Sequence, residues 1–164
     1  MDNLPSLTLL VWLFLPLGLA GGGLLWFLNH REHQRLIKSG ILDVDKMTGL
    51  EFEHYLKVLF EKLGYQVVVT PYVADFGADL IIVKDNIKTA IQAKRYHGKI
   101  GIEAIQQVVA AKARYQCQRA MVVTNSNFTQ AAWKLAQDNH VTLWWRNRLI
   151  EAGLSINRSE KIPS

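Results

Sequence analysis

The spacing of apolar positions changes several times along this chain, and each change marks an element. Leu7 to Leu28 is almost wholly apolar, and no charged residue occurs from Asn3 to Asn29. A helix needs roughly 20 such residues to cross a hydrocarbon core, so the run is long enough to span. Trp12 and Trp26 fall near its ends, where indoles favour the interface. Pro16 and Gly21-Gly22-Gly23 are tolerated in membrane helices. A cleaved signal peptide needs a basic leader, and no Lys or Arg precedes this run, so an anchor is the better reading. His30, Arg31, His33, Arg35 and Lys38 then stand against Glu32 alone, which puts this flank in the cytoplasm. The expectation is a single-pass anchor over residues 1–28, in contact with the lipid bilayer through residues 7–28, and a polar linker over 29–46.

Beyond the linker, Thr48-Gly-Leu-Glu51 matches a capping box. Phe52, Tyr55, Leu56, Leu59, Phe60 and Leu63 follow at helical spacing, and Gly64 ends the helix. Tyr65 to Thr70 reads as a strand, and Pro71 to Phe76 as a turn-rich connection. Leu80-Ile-Ile-Val83 and Ile87 to Ala93 flank the turn dipeptide Asp85-Asn86, which predicts a hairpin. A helix over Ile102 to Tyr115, a strand over Arg119 to Thr124, a helix over Thr129 to Asp138 and a strand over Val141 to Trp145 come next. A short helix over Arg146 to Ala152 precedes a tail from Leu154. Strand–helix–strand crossovers after the hairpin imply an α/β fold with a mixed sheet flanked by helices on both faces.

The hairpin register also places chemistry. With Asp85 and Asn86 as the turn, Lys84 faces Ile87 and Asp79 falls opposite Gln92. Strand alternation puts Lys94 on the same face, so an acid, an amide and an ammonium converge at the open end. Such groups at strand ends are often merely solvated. Here the partner run Leu-Ile-Ile-Val implies burial on both faces, where charge is costly without a metal ion or a substrate anion beside it.

All 19 Lys and Arg lie after residue 28, with 13 of the 14 acids, so that part carries +6. Five bases (Lys84, Lys88, Lys94, Arg95, Lys99) against Asp85 fall in the stretch that holds the candidate site, a pattern that attracts a phosphate backbone. Cys117 is the single cysteine, which excludes an intramolecular disulfide and a cysteine-based zinc site.

Gly77-Ala-Asp79 followed by Gln92-Ala-Lys94 resembles the PD-(D/E)XK nuclease site in its Gln-x-Lys variant, and is most similar to the Mrr-type restriction endonuclease catalytic domain. The likeness extends to Gly49-Leu-Glu-Phe-Glu53, Leu63-Gly-Tyr65, Gln92-Ala-Lys-Arg-Tyr96, Val123-Thr-Asn-Ser126 with Phe128-Thr129, and Leu135-Ala136. The resemblance implies a restriction-endonuclease-like αβββαβ core over residues 47–155, with 156–164 as a tail, and a DNA endonuclease dependent on Mg²⁺ or Mn²⁺. On this reading Asp79, the Gln92 amide oxygen and the Ala93 backbone carbonyl hold the metal. Lys94 holds the attacking water or steadies the phosphate. Glu53, bordering the apolar face of the first helix, adds a second carboxylate. Arg95, Tyr96, Lys99 and Gln106 are candidate DNA contacts. The amide at position 92 keeps an alternative open, a catalytically inactive nucleic-acid-binding module of the same fold. The nuclease fold consumes the chain beyond the anchor, so sequence-specific cutting would need a homo-oligomeric copy or a specificity partner.

Overall fold

The computed structural model describes residues 39–70 and 76–159, with side chains through Ile156. The expected membrane span, most of the linker and the end of the tail lie outside the described residues. Among those described, no helix is long and apolar enough to cross a membrane.

The elements begin with a single helical turn, α1 (Ile41–Val44), followed by α2 (Gly49–Lys62). Thr48 and Glu51 close the capping box reciprocally: Thr48 N–H donates to Glu51 Oε2 at 2.7 Å, and Glu51 N–H to Thr48 Oγ1 at 3.2 Å. At the other end Gly64 adopts φ +82°, and Tyr65 N–H donates back to Phe60 O at 3.0 Å, a glycine-terminated stop. Then come β1 (Gln66–Val69), β2 (Leu80–Lys84), β3 (Ile87–Lys94), α3 (Glu103–Arg114), β4 (Arg119–Thr124), α4 (Gln130–Asp138), β5 (Val141–Trp144) and α5 (Arg146–Ser159).

The strands form one five-stranded sheet in the order β1-β2-β3-β4-β5. Pairing is antiparallel through β3 and parallel from β3 to β5. This is the mixed sheet expected from the hairpin and the crossovers. Lys84 faces Ile87 and Leu80 faces Ile91, in the expected register. Asp85 and Asn86 both have positive φ, 52° and 60°, as a two-residue hairpin turn demands.

Alternation along the strands gives the sheet two apolar faces. Ile81, Ala90, Ala120, Val122 and Leu143 pack with Ile105 and Val108 of α3 and Ala132 and Ala136 of α4. Leu80, Ile82, Ile91 and Val123 point the other way, buried like Phe52, Leu56 and Phe60 of α2 and Leu149 of α5. Phe60 meets Trp144 of β5 at 5.2 Å between ring centroids, which fixes α2 to that second face.

Two boundaries differ from the sequence-based expectation. The last part of the expected linker is folded: Val44 is buried, and Asp45 is ion-paired to Arg146. The final helix runs on to Ser159, because Leu149 and Ile156, seven residues apart, give it a buried stripe beyond Gly153.

Candidate active site

The site lies where β2 enters and β3 leaves the sheet, at the end of the hairpin remote from its turn. Gly77 makes the entry. Its φ of +86° suits glycine, and a Cβ there would sit 2.7 Å from the Gln107 carbonyl oxygen of α3. Two residues on, the Asp79 N–H donates to Ile91 O at 2.8 Å, while Leu80 already faces Ile91 in the ladder. Two residues thus meet one, the count of a β-bulge, which re-aims a side chain at the end of a ladder. Asp79 therefore does not continue the backbone register to Gln92 as the simple pairing predicts; its side chain makes that join instead. Thr70 holds the bend from below. Its N–H and its hydroxyl each donate to Asp79 O at 3.0 Å, and the hydroxyl also to Ala78 O at 2.5 Å.

The Asp79 carboxylate is 9% exposed and Gln92 is 4% exposed. Asp79 Oδ2 accepts from Gln92 Nε2 at 2.5 Å and from Ala93 N–H at 2.7 Å. Gln92 Nε2 also lies 3.4 Å from the Ala93 carbonyl oxygen. The three groups expected to hold a cation therefore surround one amide nitrogen. Gln92 Oε1 is buried and has no hydrogen-bond partner. A buried acceptor left so costs about 1–3 kcal/mol, and a bound cation would supply the missing partner. Asp79, Gln92 and Ala93 offer one carboxylate and two neutral oxygens, and among the described residues no three His, Cys, Asp or Glu side chains group to hold a metal ion. That chemistry fits a hard, water-retaining ion such as Mg²⁺ better than a zinc-type ion.

Lys94 stands two residues beyond Gln92, half-buried, opposite Thr124 of β4. Gln92 pairs with Val122, on the face covered by α3 and α4. Glu53 is half-buried on α2, which covers the other face, so the sheet stands between Glu53 and Gln92. Arg95 Nη1 lies 3.1 Å from His97 Nε2, and Tyr96 is 57% exposed. Lys99 is exposed in the same loop. Gln106 is exposed on α3 and lines a shallow groove with Leu135 and Asn139; its neighbour Gln107 is the one that abuts Gly77.

The basic stretch divides. Lys84 Nζ donates to Leu63 O at the end of α2, and Lys88 Nζ to Tyr115 O at the end of α3, so both cap helices at the turn end of the hairpin. Lys94, Arg95 and Lys99 remain at the site end.

One polar group at this end has no counterpart among the sequence-based expectations. Asp45 receives both Arg146 guanidinium nitrogens, each at 2.8 Å, and Asn125 Nδ2 at 2.8 Å. The Arg146 hydrogen bonds hold the Asp45 carboxyl below the usual carboxylate range, against a smaller opposing effect of burial. By sequence Asn125 is one residue of the Val123-Thr-Asn-Ser126 likeness, with no partner assigned, and Asp45 is part of the linker. Asp45 lies 80 positions from Asn125 and 101 from Arg146, and no local spacing announces that.

The fold and the polar cluster define a nuclease-type α/β domain. The model of the Mrr catalytic-domain family, described as restriction endonuclease, matches residues 44–152, well over half of the chain. The protein belongs to that family. Among solved structures, the chain is similar to a protein of unknown function, AF1548, with 16% identity and a TM-score of 0.55, over 67% of this chain and 65% of that one. It is also similar to the DNA modification-dependent restriction endonuclease AspBHI, with 19% identity and a TM-score of 0.55, over 79% of this chain and 36% of that one. A weaker likeness, 18% identity and TM-score 0.46, is to MspJI restriction endonuclease in complex with a 27-mer oligonucleotide, over 62% of this chain and 26% of that one. The chain thus spans less than two thirds of each of these proteins. No curated protein matches the sequence.

Proposed function

We propose that this protein is a divalent-metal-dependent DNA endonuclease that hydrolyses phosphodiester bonds. The observation that carries the reading is the Asp79 carboxylate bound to the Gln92 amide and the Ala93 N–H, with the orphaned Gln92 oxygen beside it. Asp79, the Gln92 amide oxygen and the Ala93 carbonyl would hold Mg²⁺ or Mn²⁺, which when bound neutralises phosphate charge and acidifies water. Lys94 holds the attacking water or steadies the phosphate. Glu53 adds its charge from α2. Arg95, Tyr96 and Lys99 face the DNA backbone, and Gln106 flanks them on α3. Site specificity comes from a second copy of the chain or from a partner. Incubation of the protein with plasmid should give Mg²⁺- or Mn²⁺-dependent nicking or cutting that EDTA stops and that Asp79→Ala and Lys94→Ala abolish. Intact plasmid with either ion, or equal cutting by both variants, rejects this function.

A specific observation favours a second reading. Two donors already satisfy Asp79 Oδ2, and an amide stands where an acid would bind metal more strongly. A nonhydrolytic nucleic-acid-binding module of the same fold would bind DNA with strong salt dependence, keep that binding in Asp79→Ala, and cut nothing.

The apolar run over residues 7–28 is the membrane anchor in this proposal, with the nuclease domain on the cytoplasmic side.

A further inference from the structure

Strand β3 parts from β4 after the Lys94–Thr124 pair, yet the join between the two chain segments continues through a side chain. Asn125 Oδ1 accepts the Tyr96 N–H at 2.8 Å. The same residue uses its other polar ends as well: Nδ2 donates to Asp45 Oδ1 at 2.8 Å, and its backbone carbonyl accepts from Arg146 Nη1 at 3.0 Å. Arg146 closes the ring by bidentate donation to Asp45, and its own N–H donates to Ser126 O at 2.8 Å. Ser126 Oγ in turn donates to Gly98 O at 2.6 Å, which ties down the far side of the same loop. Asn125 is 2% exposed, whereas the Arg146 and Asp45 side chains are 32% and 26% exposed, so the bonds are shielded at the Asn125 end.

We propose that Asn125, clamped by Asp45 and Arg146, is a positioning residue that fixes the exit of β3 and so aims Lys94 and Arg95 at the scissile phosphate; this rests on the nuclease reading. The logic is one of leverage. Lys94 is two residues from the Tyr96 N–H, and the two segments next pair through their backbones only at the Ile100–Phe128 bridge. The clamp holds the loop by its backbone, through Tyr96 N–H and Gly98 O, and the charge of His97 acts on Asp45. Releasing it frees the backbone at Tyr96 and, with it, the adjoining positions that carry Lys94 and Arg95. A misplacement of about 1 Å at a reacting group lowers the chemical step by about a hundredfold.

The test measures kcat and KM for plasmid cleavage by the full chain and by Asn125→Ala, Asn125→Asp, Asp45→Asn and the exchanged pair Asp45→Asn with Asn125→Asp. Asn125→Ala should lower kcat by about tenfold or more with KM changed by less than about threefold. Asn125→Asp sets two carboxylates face to face and should fall as far. The exchanged pair keeps one carboxylate, one amide and the acceptor for Tyr96 N–H but gives up one of the two Arg146–Asp45 bonds, and should recover part of the kcat that Asn125→Asp loses. A purely structural role would not produce that recovery with KM held. Asn125→Ala with wild-type kcat, or an exchanged pair no better than Asn125→Asp although both fold, overturns the clamp alone. A wild-type chain that cuts nothing overturns the nuclease reading and the clamp together.

Discussion

Gln92 is the residue at which the protein with and without the proposed cation would make opposite demands. Without a cation its Nε2 is the donor that Asp79 needs. With a cation, an anionic oxygen would serve better. Gln92→Glu should therefore lower the melting temperature in EDTA by about 5 °C, as two buried carboxylates meet. It should gain more stability from Mn²⁺ than the wild type does. Thermal unfolding of both proteins with EDTA and with Mn²⁺ checks this, and an equal Mn²⁺ gain in the two would remove the cation from this position. The nearness of Asp79 to Gln92 is readable from sequence because hairpin counting is local: a two-residue turn fixes the partners as far as Leu80 and Ile91, one step short of the site. The bulge at Asp79 and the bracing by Thr70 are not readable, since both depend on how β1 and β2 close against each other. The Asp45–Asn125–Arg146 cluster is illegible for a stronger reason: its members share no period, and polar residues near helix starts are common.

At the scale of elements, the β2 entry is set by a contact between a turn and a helix. Gly77→Ala would strain a φ of +86° and drive a Cβ to 2.7 Å from a backbone carbonyl of α3. The expected loss is about 1–3 kcal/mol of stability together with a drop in cleavage, because the shift is passed to Asp79. Gly49 is the control: it opens α2, and a methyl group added there would meet nothing within 4 Å, so Gly49→Ala should be neutral or stabilising by up to about 1 kcal/mol. Denaturant titration separates the two, and equal losses would argue against the turn–helix contact as the cause. Capped or periodic helices such as α2 are legible from sequence, where Thr48, Glu51 and Gly64 each act within one turn. The length of α5 is not, because Gly153 reads as a stop while burial of Leu149 and Ile156 carries the helix past it.

For the whole molecule, a net excess of positive charge says less than its distribution. Lys84 and Lys88 are spent on helix ends, which leaves Lys94, Arg95 and Lys99 to meet an anion. The proposed anchor over residues 7–28 has a direct consequence. Full-length protein should stay in the membrane fraction through high-salt and alkaline washes, whereas deletion of residues 1–28 should release it to the supernatant. Full-length protein found in the supernatant would remove the anchor. A nuclease held at a surface would meet only the DNA that approaches it, so tethering would itself restrict cutting.

The clamp at the end of β3 also has a bearing on how the chain is born. A ribosome releases the acid, the amide and the lysine as one short stretch, and that hairpin closes on itself early. Arg146 emerges long after Lys94 and must fold back to the start of the domain. An unfinished chain would thus carry the proposed cutting groups without their brace, which would hold back activity until Arg146 has emerged.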